Sequence, residues 1–278
     1  MSVIPRLLSQ GNPPFRVLRF DPAVPSEDRL IIRWQRVLDL VKEPCPIQRI
    51  ALKCRATGKD SADTILQVAV EEADVENVAE LSAGMRRGAE QVLANFRTFG
   101  RETRFSDMGA YSGGPRFMAL TELVETVFRC PLPIERVGVG AKWEAQSIVD
   151  ELRLALVETT VYQLLTLSDD YLEIGFHGAA SGVDIDLPRI RKSSVVVRGL
   201  ERRWSATGSM TRHLRMAHPR RFQQESKWEA VDLVQRRGKM MMRENLCINE
   251  KIWAEVQGPN AGEASYSSPG NSAPSARE

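Results

Sequence analysis

Hydrophobic and polar residues alternate along this chain with two different periods. Over residues 49–55, Ile50, Leu52 and Cys54 take every second position against Ala51, Lys53 and Arg55. That is the period of a strand with one face buried. Leu66, Val68 and Val70 repeat it over 64–70. The polar loop Thr57–Ser61 between the two predicts an antiparallel hairpin. Shorter strands are expected over 15–20, 134–139, 171–176, 182–187 and 194–198.

Elsewhere the apolar positions recur at intervals of three and four, the spacing of a helix face. Ser26 is placed to cap a helix carrying Leu30, Trp34, Val37, Leu38 and Val41, which Pro44 and Pro46 would stop. Asp74 is placed to cap a second, with Val75, Val78, Ala79 and Leu81, running toward Phe99 and Gly100. Residues 100–116 read as loop. A helix over 117–128 carries Met118, Leu120, Leu123, Val124 and Val127 ahead of Pro131 and Pro133. The clearest pattern runs over 145–167, through Ile148, Leu152, Leu156, Val157, Val161, Leu164 and Leu165. A last helix is expected over 227–246.

Together these elements predict an α+β protein, a mixed or antiparallel β core with flanking helices. The chain divides into an irregular arm (1–28), an α+β core (29–187), a basic and partly helical segment (188–256) and a tail (257–278). The tail is rich in Gly, Pro, Asn, Ala and Ser. It lacks the apolar surface to offset its ordering entropy, and disorder is expected.

Composition narrows the class. The chain has 278 residues, 42% of them hydrophobic, enough for a sizeable core. Apolar runs such as Val195–Val197 are far too short to span a bilayer. The segment from Met1 to Leu8 has no continuous apolar stretch of the kind a secretory signal needs. Cys45, Cys54, Cys130 and Cys247 are widely spaced, with no Cys-x-x-Cys pair. These features predict an intracellular protein with reduced thiols and no cofactor.

Charge is distributed unevenly. Net charge is +2, yet residues 186–243 hold 15 Lys and Arg against 5 Asp and Glu. Such an excess attracts polyanions. Arg outnumbers Lys by 30 to 8, and the guanidinium fork matches phosphate oxygens. Trp204, Phe222 and Trp228 are interleaved with the basic residues, and aromatic rings stack on exposed bases. The competing reading is a solvated basic face whose aromatics turn inward.

Other constellations are weaker. The stretch Thr207–Pro219, with His213 and His218 five residues apart, resembles the second half of a zinc finger of the BED or Cys-Cys-His-His kind. No cysteine lies in 190–205 to complete the ligand set. Gly113-Gly114 and Gly138-Val139-Gly140 lack the Lys-Ser/Thr of a phosphate loop and read as turns. Adjacent Asp169 and Asp170 would point to opposite faces of a strand. Asp184 and Asp186 could share a face, without a third metal ligand. His177 has no nucleophile partner in the sequence, and Met240–Met242 reads as core or interface.

Three stretches carry a family resemblance. Pro46–Thr57, with the run Ile-Gln-Arg-Ile-Ala-Leu-Lys-Cys-Arg-Ala-Thr, looks like the first core strand of the thirty-kilodalton movement-protein superfamily of plant viruses. Thr64–Val70 followed by Asp74 is similar to the next strand, which closes on an aspartate. Cys130-Pro-Leu-Pro-Ile-Glu-Arg-Val-Gly138 resembles the downstream Cys-Pro…Glu…Gly stretch of some members. The resemblance implies a β-rich core, cooperative binding of single-stranded nucleic acid, self-association, peripheral membrane contact and a place at the cell periphery or plasmodesmata.

The expected function is therefore that of a non-enzymatic nucleic-acid-binding protein of viral type, serving cell-to-cell movement or genome transport. Arg202, Arg203, Arg212, Arg215, Arg220 and Arg221 are the expected phosphate contacts. No catalytic residue and no metal ligand is assigned. A viral matrix or nucleocapsid-like structural protein, or an enzyme with a polar pocket around His177, Asp184 and Asp186, are the alternatives.

Overall fold

The computed structural model describes residues 5–22, 24–38, 45–60, 63–74, 91–98, 103–108, 123–151, 154–184, 200–216, 218–237 and 240–257. They form β1 (Arg6–Ser9), β2 (Asn12–Val17), β3 (Ser26–Leu38), β4 (Gln48–Asp60), β5 (Asp63–Asp74), β6 (Gln91–Thr98) and β7 (Thr103–Met108). A short helix, α1, covers 123–128. Then come β8 (Arg136–Val139), β9 (Lys142–Glu151), β10 (Leu154–Leu167), β11 (Tyr171–Asp184), β12 (Leu200–His213), β13 (Arg221–Arg237) and β14 (Met240–Gln257).

Among the described residues, twelve strands make one antiparallel sheet, in the order β1-β9-β10-β11-β12-β13-β14-β3-β4-β5-β6-β7. β2 and β8 form a separate two-stranded ribbon. Two meanders, β9 to β14 and β3 to β7, are joined where β14 pairs with β3.

The expected α+β fold with flanking helices is thus corrected to a nearly all-β one. The hairpin over 49–55 and 64–70 stands, inside β4 and β5, as does the strand over 171–176, inside β11. The helix expected from Ser26 is β3, and that over 145–167 is the β9–β10 pair. The helix over 227–246 is β13 pairing with β14. The chain beyond Asp74 forms β6 at 91–98, and the loop over 100–116 contains β7. Of the helix over 117–128, the part at 123–128 is present. The caps from Val75 on, the strand over 194–198 and the tail from 258 lie outside the described residues.

The physical reason for the errors is an ambiguity of spacing. Residues i and i+4 share a face in a helix and in a strand alike. Leu30 and Trp34 fit both, and Ile32 between them decides: all three are buried on one face of β3. In β10 the run Thr159-Thr160-Val161-Tyr162 is β-branched and aromatic, which suits a pleated surface.

The buried face is built from rows that cross the strands in register. Leu164, Ile174, Met210, Phe222, Ala254, Ile32 and Ile50 run through seven adjacent strands, all buried. The next row places Trp143, Tyr162 and Phe176 beside Gly208. Trp143 stacks on Tyr162 at 5.8 Å, and Phe176 on Phe222 at 5.7 Å. Gly208 makes room for them, since a Cβ there would overlap the Phe176 ring and the Gln223 carbonyl. Residues 18–22 and α1 with its following segment pack against this face through Leu18, Phe20, Val124, Val127, Phe128, Cys130 and Leu132. Trp143 Nε1 donates to the Pro131 carbonyl at 2.7 Å, fixing that segment to β9.

The basic segment is no appendage to this sheet. β12, β13 and β14 occupy its middle, and β14 links the two meanders.

Candidate polyanion interface

At one end of the sheet, two turns and the segment after β2 are tied together by their backbones. The β10–β11 turn is closed by the Ser168 N–H donating to the Tyr171 carbonyl at 2.8 Å, and by Ser168 Oγ accepting from the Tyr171 N–H at 3.1 Å. The β12–β13 turn is closed where the Arg220 N–H donates to the Thr211 carbonyl at 2.8 Å. The Leu214 N–H donates to the Asp170 carbonyl, and the Asp21 N–H to the Leu214 carbonyl, both at 2.8 Å. Three stretches far apart in sequence thus present their side chains together.

Arginine dominates what they present. Arg19, Arg215, Arg220 and Arg221 are exposed there, and Arg16 joins them through its 2.8 Å contact with Asp169. Arg215 faces Asp170 at 3.9 Å. Arg220 donates to the Tyr171 hydroxyl at 3.1 Å and lies 5.6 Å from that ring's centroid. His213 meets Tyr171 edge-on at 4.5 Å, and its Nδ1 accepts from the Arg215 N–H at 3.0 Å. Carboxylates stand among them: Asp21, Asp169 and Asp170 on the same stretches, Asp28 against His218, Glu173 accepting from Thr166, and Glu255 in register with Arg221.

Along β14, β3, β4 and β5 the charges are paired across strands. Arg29 meets Glu71 and Glu72, Arg33 meets Glu255, and Arg49 meets Glu72, each within 3.1 Å. Lys53 and Arg55 share Glu27. Glu72 is held below the usual carboxylate range, chiefly by its hydrogen bond from Arg49, and Glu27 by its bond from Arg55. Here the basic groups are neutralised by neighbours, and Ile31, Ala51 and Ala69 on the same strands are buried.

Of the six arginines singled out in the sequence, the structure brings together Arg215, Arg220 and Arg221. Arg203 is exposed on β12 opposite Glu229, eight residues from the Thr211–Arg221 pair, or about 27 Å at strand rise. Arg202 is its neighbour on β12, with its side chain outside the described residues. Arg212 faces the core and is fully buried. It donates to the Phe128 carbonyl at 2.7 Å, and its guanidinium sits 4.3 Å above the Phe20 ring. Burial lowers its pKa, against the opposing pull of Cys130. With no exposed surface it has no route to a phosphate in this fold.

Arg16, Arg19 and Tyr171 are the members of this end that sequence reasoning missed. They lie far from the basic segment, and only the paired turns bring them to it.

The remaining motifs have structural explanations. The two histidines of the finger-like stretch diverge: His213 is at the surface beside Tyr171, and His218 is buried with Nε2 3.2 Å from Asp28 Oδ2 and Nδ1 3.2 Å from the Pro219 carbonyl. Cys130 is buried, and desolvation pushes its thiol up to about 11, against the pull of Arg212. Cys54 is raised further by burial, with Asp28 and Glu71 adding to it. Neither is a nucleophile at neutral pH. His177 is exposed on β11, Asp184 ends that strand, and Asp186 lies outside the described residues. Among the described residues, no three His, Cys, Asp or Glu side chains are grouped to hold a metal. A groove of about 380 Å³ crosses β12, β13 and β14, lined by Thr207, Glu225, Lys227 and Lys251 among others. Its Lys251 is paired with Glu225 at 2.7 Å.

No protein-family model, curated protein or solved structure matches this chain.

Proposed function

We propose that this protein binds nucleic acid through the arginine-rich end of its sheet, without catalysing a reaction. The observation that carries the reading is that Arg16 from β2 and Arg215 and Arg220 from the β12–β13 turn all meet the β10–β11 turn, with Arg19 and Arg221 exposed on the same stretches. Guanidinium groups neutralise phosphates and release their counterions, which supplies most sequence-independent affinity. Arg220 meets a phenol hydroxyl at this end, whereas Arg29, Arg33, Arg49 and Arg55 face carboxylates within 3.1 Å. Under the movement-protein resemblance the ligand is a single strand and the role is genome transport.

The test is fluorescence anisotropy with a labelled single-stranded oligonucleotide over a series of salt concentrations. The variant R215Q/R220Q/R221Q should bind more weakly. Its log–log salt slope should be shallower by about 2, at roughly 0.7 for each single-strand phosphate that the variant leaves unneutralised. The control Arg203→Gln should change little. Binding that ignores salt, or a triple variant that binds like the parent, would overturn the proposal. So would affinity for anionic vesicles without affinity for any oligonucleotide.

A further inference from the structure

Two carboxylates stand inside this arginine-rich end. Asp169 Oδ1 lies 2.8 Å from Arg16 Nη1, and Asp170 Oδ1 lies 3.9 Å from Arg215 Nε. The turn that carries them is held by backbone bonds: Ser168 to Tyr171, and the Asp170 carbonyl to the Leu214 N–H. Arg16 also donates to the Ser168 carbonyl at 3.4 Å. The backbone of the turn therefore stays in place whether or not the ion pairs are made.

We propose that Asp169 and Asp170 act as a built-in competitor for the ligand's phosphates. This inference rests on the polyanion reading of the same end. In the free protein the two carboxylates occupy Arg16 and Arg215, and a phosphodiester chain displaces them.

The exposures set the energetics. The side chains of Asp169 and Asp170 are 87% and 54% exposed, and those of Arg16 and Arg215 are 45% and 72% exposed. Ion pairs so open to water are weak and screened by salt, and breaking them costs little. A single small anion that replaces one carboxylate on one guanidinium gains almost nothing, since one pair is exchanged for another. It releases no condensed counterions either. A polymer differs on both counts. Successive phosphates reach Arg215, Arg220 and Arg221 together, and each phosphate neutralised releases counterions. The acidic pair thus raises the number of contacts a ligand needs, which a polymer supplies and a single phosphate does not. It also keeps the arginines occupied when no polymer is present.

The experiment compares the full-length parent with D169N/D170N, using the oligonucleotide and inorganic phosphate as probes. Asparagine keeps the side-chain shape and leaves the Asp170 backbone bond in place. Expected is oligonucleotide binding tighter by about fivefold at low salt, from two surface pairs each worth a fraction of a kcal/mol. Phosphate, limited to one guanidinium, should gain no more than about twofold. Both gains should vanish when Arg16→Gln and Arg215→Gln are added. Should the double variant melt early, Asp169→Asn alone tests the same point, because its side chain is almost wholly in solvent. A folded variant with unchanged or weaker oligonucleotide affinity overturns the competitor role while leaving nucleic-acid binding intact. If neither parent nor variant binds the oligonucleotide, both proposals fall together.

Discussion

Replacing Arg212 separates this fold from any account in which the basic segment is a solvated cluster. Its guanidinium is fully buried, donates to the Phe128 carbonyl at 2.7 Å and lies 4.3 Å above the Phe20 ring. Arg212→Ala leaves that carbonyl without its charged donor, a loss of about 1.5–3 kcal/mol. It also forfeits a desolvated cation–π contact of roughly 2 kcal/mol and opens a cavity under Phe20 and Phe128. Relief of the buried charge offsets part of this. The net expectation is a destabilisation of about 3 kcal/mol. Arg212→Met keeps most of the volume and should cost about half as much, since the unpaired carbonyl remains. Arg221, exposed on β13, should lose under about 0.5 kcal/mol on the same change. Urea unfolding followed by tryptophan fluorescence gives the three midpoints. Equal midpoints for the Arg212 and Arg221 variants would refute the burial of Arg212 and the strand register that sets it.

The remaining predictions concern packing, thiols and acid stability. Gly208→Val should destabilise by at least about 3 kcal/mol, because its Cβ meets the Gln223 backbone carbonyl as well as the Phe176 ring; a parent-like melting temperature would contradict the β12–β13 register. At pH 8, Cys45 and Cys247, both partly exposed, should react with a thiol reagent in the native protein, while Cys54 and Cys130 should react only on unfolding. Mass spectrometry of native labelling settles the order, and rapid labelling of Cys130 would count against its burial. Glu27 and Glu72 titrate below their ordinary value of 4.5 in the folded chain. Their contribution is complete above that pH and lost as pH falls through the lower folded values. Unfolding midpoints measured below pH 4.5 should therefore fall less steeply for the double variant Glu27→Gln, Glu72→Gln than for the parent.

The sequence makes some of this readable and hides the rest for identifiable reasons. Ile50, Leu52 and Cys54 take every second position with Lys53 and Arg55 between and after them, and the intermediate Leu52, like Val68 between Leu66 and Val70, makes β4 and β5 legible. In β3 and β10 the pairs Leu30–Trp34 and Val157–Val161 satisfy both periods. The choice then falls to tertiary pairing, which a local window does not contain. Arg212 illustrates the same point at the site. Read as a charge in a basic run it is a surface residue. Read in strand register with Ala206, Gly208 and Met210, two positions apart, it points inward. Arg16 and Tyr171 carry no local signal at all. Their role arises where the Asp170–Leu214 and Asp21–Leu214 backbone bonds bring three stretches of chain together.

Hydrogen exchange measured with and without a saturating oligonucleotide bears most directly on the interface. Bound ligand should slow exchange in the β10–β11 turn, residues 168–171, and the β12–β13 turn, residues 213–221, while the β12 segment around Arg203 keeps its free-state rates. Protection centred on Arg203, with the two turns unchanged, would contradict the account.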